Sequence, residues 1–556
     1  MRSIHGRTRW SGLATMMGAA AAAVLQFLTL PAFAGFELPP GERITNLPAI
    51  PRAMPQKEAY EIYDPVIGRN FDVKNLWMRA DLRVRPEMRN NTCFGQAINT
   101  NGSCNTFGTK GNAGGVGGQV GNKGNDFFVQ QWMRLGIGYD LSPDVNFYVE
   151  IIDSATWGGN GSAVNAGNGG DPLNHQCSTT ATGACRLGVR AAYMLVRNLA
   201  DVQGLSMKVG RQYVVFGNHS LFGHFDWANT GYSHDGVMFA YQTKGWDSYF
   251  GWFRNSESDL NQAAAVGSGS GNIAGTGNRD ANRDADMFIF YNQLKMVPGM
   301  VIEPFYMYYK NNYASADNAA FGLGTAKHSN QTRHMVGNRI EVRKGGFDFS
   351  NEIAWQFGQM GQAGACQGEQ KCLHINAWAT RNWIGYTFYD SAWKPRLAFN
   401  FDYASGDGRS NKCGAGAAAG SCTTANTFEN FFPTNHIHMG YMDVMAWKNM
   451  LSPSVNFQAR PSARDHIELW YTNMNLASSQ DCWYRAAQNC YVFSNANNTK
   501  KHIGDEIDVS WTRMFADGKV AFQATYGTLF SGGYLTSTLN QQVNQHWGYV
   551  QLWMNF

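Results

Sequence analysis

Charge is scarce in this chain. Only 15% of its 556 residues are Asp, Glu, Lys or Arg, against about 25% in a typical soluble domain. Its 45 basic and 41 acidic side chains nearly cancel, so it lacks both the basic excess of a nucleic-acid binder and the single-sign density of a disordered tail. A long apolar run is present once, at the N-terminus, and nowhere else does a stretch of the ~18 residues needed by a membrane-crossing helix recur. Together with a mean hydropathy of -0.35, this excludes a polytopic helical membrane protein. There is no C-x-x-C and no C-x-x-C-H, which disfavours zinc-ribbon, thioredoxin-type and c-haem chemistry. No nucleophile elbow and no H-E-x-x-H occur either. The Gly-rich runs from Gly114 to Gly124 and from Gly267 to Gly277 do not sit between a strand and a helix, so they are loop tips rather than phosphate cradles. No catalytic residue, metal site or cofactor is therefore expected, and the chain is not read as an enzyme.

What is abundant is glycine (62) and aromatic residues (34 Phe, 24 Tyr, 17 Trp), spread along the whole length. Length alone suggests two to four domains; the even composition points instead to one large all-β unit. Arg2, Arg7 and Arg9, an apolar run from Gly12 to Leu30 and the small residues of Ala32-Phe33-Ala34 predict a secretory signal peptide, residues 1–34, cleaved after Ala34. Its removal takes three arginines and no acid from a formal net charge of +4, leaving a nearly neutral mature chain. Residues 35–72 are rich in proline and lack alternation, as expected of an extended periplasmic lead-in.

From residue 73 to residue 556 the pattern changes to period two. Leu76, Met78, Ala80, Leu82, Val84, Pro86 and Met88 share one face, while Trp77, Arg79, Asp81, Arg83, Arg85, Glu87 and Arg89 share the other. This predicts a strand, and its length suits a tilted crossing of ~9–11 residues. The pattern recurs in Phe347 to Gly358, Pro395 to Tyr403, Arg333 to Arg343 and His466 to Thr472. Short links such as Ser142-Pro143-Asp144, Ala200 to Gly204, Val297-Pro298-Gly299, Lys344-Gly345-Gly346 and Ala516-Asp517-Gly518 alternate with long polar ones. The long ones include Asn90 to Asn125, Gly158 to Arg186, Ser256 to Asn282 and Gly408 to Asn435. Short periplasmic turns and long extracellular loops mark an outer-membrane barrel. The final segment, Gly548 to Phe556, alternates and ends on an aromatic residue, as closing strands commonly do. The expectation is a single transmembrane antiparallel β-barrel of sixteen to eighteen strands, wide enough for an aqueous lumen.

The ten cysteines fall into five close pairs, Cys93/Cys104, Cys177/Cys185, Cys366/Cys372, Cys413/Cys422 and Cys482/Cys490, each within one expected outer loop. An even count in a secreted chain predicts disulfides, and local pairing is the simplest connectivity.

Several stretches resemble the alginate-export family of outer-membrane channels. They are Leu82 to Arg89, Gln130 to Gly136, Leu141 to Val145, Ala191-Ala192-Tyr193, Lys208 to Gln212, Phe222-Gly223 with Phe225 to Asn229, and Asp235-Gly236-Val237. Tyr403 to Asp407, Thr427 to Thr434, Gly440 to Asp443 and Ile503 to Asp508 follow in order. The resemblance implies an 18-stranded barrel that exports an anionic polysaccharide through an arginine-lined lumen. The five cysteine-paired loops and the many acids on the lumen face depart from that pattern.

By parity, Arg79, Arg83, Arg85, Arg89, Arg134, Arg333, Arg339, Arg343 and Arg396 point into the lumen as a substrate path, with Arg190 and Arg211 less clear. Arginine offers permanently charged, bidentate donors to the carboxylates of a uronate polymer. The acids Asp81, Glu87, Glu341, Glu352, Asp402 and Glu506 share the same face, with Glu468 and Asp508. The arginines could instead pair with these acids and only hold the wall. Phe225, Asp226 and Trp227, with Asp235, lie in a link that either folds inward as a constriction or packs as an outer loop. Trp157, Tyr232, Tyr308, Trp470 and Trp547 are expected in interface girdles. The functional expectation is a channel for an anionic polysaccharide or oligouronate in the outer membrane of a Gram-negative bacterium. Its partners would be membrane lipid, an anionic oligosaccharide or polysaccharide and a periplasmic secretion assembly, with no nucleic acid, and the barrel would be monomeric. The alternatives are an uptake porin for small anions and, from another class, a structural surface protein or a sleeve for a periplasmic electron carrier.

Overall fold

The computed structural model describes residues 75–91, 125–158, 187–227, 231–256, 285–311, 331–360, 373–408, 424–484, 486, 490–492, 500–539 and 543–555. The expected signal peptide, the proline-rich lead-in and Phe556 lie outside them, as do Cys93, Cys104, Cys177, Cys185, Cys366, Cys372, Cys413, Cys422 and the side chain of Cys490. Cys482 is buried and disulfide-bonded.

Eighteen long strands follow one another: β1 (Leu76–Asn90), β2 (Asp126–Ser142), β3 (Val145–Gly158), β4 (Leu187–Val196), β5 (Leu205–Gln212), β6 (His234–Gln242), β7 (Trp246–Ser256), β8 (Ala285–Leu294) and β9 (Met300–Asn311) form the first half. The second half comprises β10 (Gln331–Lys344), β11 (Phe347–Met360), β12 (Leu373–Thr387), β13 (Arg396–Ala404), β14 (Met450–Ala459), β15 (Asp465–Leu476), β16 (His502–Phe515), β17 (Val520–Ser531) and β18 (Gln545–Asn555). Each strand pairs antiparallel with the next, and β18 returns to β1 in a register running from Asp81↔Asn555 to Asn90↔His546. The sheet is closed, so no edge offers unpaired backbone groups to hydrocarbon.

Alternation sets which face of the wall each side chain takes. Met78 and Phe127 are 61% and 65% exposed on the outer face, whereas Arg85 and Glu87 on the inner face are 0% exposed. The polarity of a soluble protein is thus reversed, as required when the outside solvent is lipid. The short links, among them residues 143–144, 345–346 and 516–519, all lie at one end of the barrel, and the long ones lie at the other.

The interior departs from the expected open lumen. Two of the long links, residues 213–233 after β5 and residues 405–449 after β13, carry a buried apolar cluster that packs on the inner wall. Val214, Phe216, Phe222, Phe225, Trp227, Phe428, Phe431 and Trp447 belong to it, against Met287, Tyr291, Phe305, Trp383, Trp470 and Trp547 of the strands. The link Gly408 to Asn435, read from sequence as an outer loop, therefore turns inward in its second part. Three expected girdle residues change place for the same reason. Tyr232 stacks on Phe225 at 5.5 Å, Trp470 packs against Tyr441 and Trp383, and Trp547 meets Trp227 edge-on at 5.7 Å, all three inside the barrel. Tyr308 lies on the outer face against His334, and the Trp157 side chain lies outside the described residues.

Val550 is mid-strand in β18 and 41% exposed on the outer face. Val550→Arg should destabilise the folded barrel in lipid by ~2–4 kcal/mol, the cost of a cation on the lipid face near the midplane. Reversible urea unfolding into liposomes measures this, and Gln551→Ala on the inner face should escape the lipid-face penalty.

Candidate functional site

The two inward segments meet each other before they meet the wall. The Gly223 N–H donates to Phe432 O at 2.7 Å, Phe432 N–H to Leu221 O at 3.3 Å, and Thr434 N–H to His219 O at 2.8 Å. A Cβ on Gly223 would lie 2.3 Å from Thr434 Oγ1, so this approach requires glycine. Phe225 and Phe431 adopt left-handed backbone, with φ of 50° and 49°, a conformation a bulky side chain accepts only when its surroundings enforce it.

The first segment is tied to β2 and β4 through one carboxylate and to β1 through two backbone carbonyls. Arg134 Nη1 donates to Asp226 Oδ2 at 2.9 Å and Arg190 Nη2 to Asp226 Oδ1 at 2.9 Å. Arg83 and Arg85 donate to the carbonyls of Asp226 and Trp227, at 2.6 and 2.9 Å. Burial alone would raise the Asp226 pKa, but His224, Arg134 and Arg190 outweigh it and hold the carboxyl well below the usual carboxylate range. The Trp227 ring lies between two cation-capable groups, with the Arg85 guanidinium 3.4 Å from its centroid and the His436 ring stacked at 3.6 Å. Burial lowers the His436 pKa despite the opposing pull of Asp443, whose carboxylate lies 3.1 Å from Nδ1.

The second segment is tied to β15 and β16 by carboxylates of the wall. Tyr441 Oη donates to Glu468 Oε2 at 2.6 Å, Tyr441 N–H to Asp508 Oδ2 at 3.1 Å and Met442 N–H to Glu506 Oε1 at 3.0 Å. A Cβ on Gly440 would meet Glu506 Oε1 at 2.2 Å. On β11, Gln356 both donates to Glu429 O and accepts from Glu429 N–H, at 2.5 and 3.0 Å. Lys448 and Glu429 pair at 2.8 Å, fully buried.

Every arginine expected in the lumen is on the inner face, and its partners are now explicit. Arg79 pairs with Asp81 at 2.8 Å, and Glu87 accepts from Arg85 and Arg89 at 2.6 and 3.0 Å. Arg339 pairs with both Glu303 and Glu341, and Arg343 with Glu341 at 2.9 Å. Arg396 forms a fork with Asp348, at 2.9 and 2.7 Å. Arg333 differs, since its guanidinium binds the neutral amides of Gln331 and Gln356 at 2.8 and 2.7 Å. Of the expected acidic partners, Asp81, Glu87, Glu341 and Asp402 pair with arginine, the last with Arg381 at 3.2 Å. Glu352 and Glu506 instead hold the inward segments, Glu352 by accepting from Ser220 Oγ. Phe225, Asp226 and Trp227 do fold inward. Asp235 does not join them: it is the second residue of β6, its side chain is 55% exposed on the outer face, and it pairs with Arg211. Period two turns Asp235 outward if His234 points in. Sequence reasoning missed Arg190 as an anchor, along with Arg381, Glu150, Glu303, Asp348 and Lys448. Parity on β3 would have found Glu150; the second inward segment carried no such signal.

Asp226→Ala leaves the guanidinium groups of Arg134 and Arg190 buried without their shared carboxylate. Removing one member of a buried charge set costs ~3–5 kcal/mol, so equilibrium unfolding should show a loss of that order, with a smaller loss for Asp226→Asn. A loss under ~1 kcal/mol would mean that the contact does not anchor the segment.

The alginate export family matches residues 78–549. No curated protein matches the chain. Among solved structures, OccAB2 of Acinetobacter baumannii is similar at 9% identity and a TM-score of 0.49, covering 87% of this chain and 98% of that one. OccD3 (OpdP) of Pseudomonas aeruginosa is 11% identical, with a TM-score of 0.46 and coverage of 90% and 97%. The closed eighteen-stranded barrel and a match across almost all of its length place this outer-membrane chain in the alginate export family.

Proposed function

We propose that this outer-membrane channel conducts an anionic polysaccharide or oligouronate outward along the arginines of its inner wall. The observation that carries the reading is the Asp226 carboxylate gripped by Arg134 and Arg190 in the barrel interior. The same guanidinium pair that accepts this side chain presents the donor geometry a uronate carboxylate needs. Arg79 and Arg343, with side chains 15% and 12% exposed, and Arg333 on its two amides extend the set beyond Asp226. Several partly compensated arginines provide weak, exchangeable sites, and conduction needs sites that release what they bind. Acids paired with most of them keep each site shallow. A periplasmic secretion assembly would supply the polymer.

A second reading, an uptake porin for small anions, is favoured by one observation. The two inward segments fill much of the interior, with Phe428, Phe431 and Trp447 fully buried, which suits a small solute better than a chain.

Planar-bilayer conductance separates the readings. Anion preference with block by oligouronates supports the polymer path, and anion preference without block supports the porin. Cation preference without block overturns both, and absence of conductance points to a structural protein or sleeve. Arg79→Ala combined with Arg333→Gln should lower the anion-to-cation permeability ratio. An unchanged ratio would mean that these arginines only brace the wall.

A further inference from the structure

The outer face carries a row of charges that the channel reading does not use. Arg211 on β5 is in register with Asp235 on β6, Asp235 with Arg254 on β7, Arg254 with Asp286 on β8, and Asp286 with Lys310 on β9. Five consecutive strands therefore present cation, anion, cation, anion, cation as successive register partners. Alternation puts all five on the face opposite the lumen, the face that carries Val209, Trp252 and Phe290. The side chains are partly exposed: Arg211 14%, Asp235 55%, Arg254 30% and Asp286 15%.

A second row fixes the depth of the first. Two residues closer to the barrel centre than Arg254, Asp286 and Lys310, Trp252, Phe288 and Tyr308 are successive register partners on β7 to β9, and His334 and Phe357 continue the row on β10 and β11. Their rings touch along the row, Tyr308 to His334 at 4.8 Å and His334 to Phe357 at 4.9 Å, and Trp252 Nε1 donates upward to Asp286 at 3.2 Å. An aromatic row of this kind marks the membrane interface. On β7 to β9 the charged residues lie beyond it, at the end where the long links emerge, which places them among the headgroups of the outer leaflet.

Ionic side chains on a lipid-facing surface are costly in hydrocarbon but not among headgroups. Arg211 and Asp235 pair at 2.8 Å, as do Arg254 and Asp286, yet three cations face two carboxylates, and the row ends on Lys310. We propose that this row is a docking site for the phosphate groups of an outer-leaflet lipid, held across β5 to β9. The cations recognise the phosphates by charge-assisted hydrogen bonds, the aromatic row packs against the first acyl carbons, and the two acids space the cations and keep the empty row soluble in the interface. This site is independent of what the lumen conducts.

The test compares the full barrel with the triple variant Arg211→Gln, Arg254→Gln, Lys310→Gln, in mild detergent. The probe is a lipid with a phosphorylated disaccharide headgroup, titrated by native mass spectrometry against its phosphate-free counterpart. Affinity for the phosphorylated lipid should fall about a hundredfold in the triple variant, with the phosphate-free lipid unaffected. Asp235→Asn with Asp286→Asn should tighten binding, because the competing carboxylates are gone. Heat-modifiable gel migration and unchanged channel conductance establish that each variant is folded. Equal affinity in wild type and triple variant, or equal affinity for both lipids, overturns the proposal. Protection of the wild type by inorganic phosphate alone, at the affinity of the lipid, overturns it too, since the site would then be an anion site without a lipid role.

Discussion

The carboxylate of Asp226, shared between Arg134 and Arg190, is the interaction on which the interior depends. A guanidinium pair buried in a barrel wall costs several kcal/mol unless its charge is met. The wall meets it only in part, for Asp81 and Glu150 stand 3.3 and 3.8 Å from Arg134 while Asp226 stands at 2.9 Å from each arginine. The link after β5 therefore turns inward because two charges on the wall require a carboxylate. Its backbone then offers Arg83 and Arg85 two carbonyl acceptors, and the Trp227 ring becomes a platform for Arg85 and His436. The second segment follows from the first through the shared hydrogen bonds around Phe222, Gly223 and Phe432. It is secured to β15 and β16 by wall acids at Glu468, Glu506 and Asp508. One wall supplies cations to a loop carboxylate, and the other supplies carboxylates to loop N–H and O–H groups.

This division explains why an eighteen-stranded barrel of neutral overall charge can still have a directed interior. Most arginines and acids cancel within a few ångströms, many of them on one strand, as Arg85 with Glu87 and Arg339 with Glu341, which keeps the wall stable. Both inward segments are tethered to the wall from within, and Thr424–Ala425 of the second pairs in parallel with His374 and Ile375 of β12.

The barrel itself was legible because lipid outside and polar groups inside impose strict alternation, as in β1 from Leu76 to Arg89, and because link lengths alternate with it. Parity placed the expected arginines on the inner face for the same reason. It failed where the interior is packed rather than wet. On β12 the inner face reads Leu373, Ile375, Ala377, Ala379 and Trp383, with Arg381 the one cation, while Asn376, Thr380 and Asn382 face outward. That pattern is the inverse of β1, since β12 backs the inward segments, and nothing in the strand alone reveals what it backs. The same blindness moved Trp470 and Trp547 from expected girdles to the interior. The motif Phe225-Asp226-Trp227 stood out as a candidate constriction, but whether it turned in or out depended on Arg134 and Arg190, which are distant in sequence. Asp235 is the reverse case, a strand residue whose parity assigns it to the outer face.

The central claim is that chain folded into the barrel, held by these charges, sets the width of the passage. Single-channel conductance of the wild type against a variant in which residues 214–232 are replaced by a short Gly-Ser link tests it most directly. The account predicts a several-fold higher conductance in the shortened variant, together with weaker anion preference. An unchanged conductance in a barrel that still folds would contradict it.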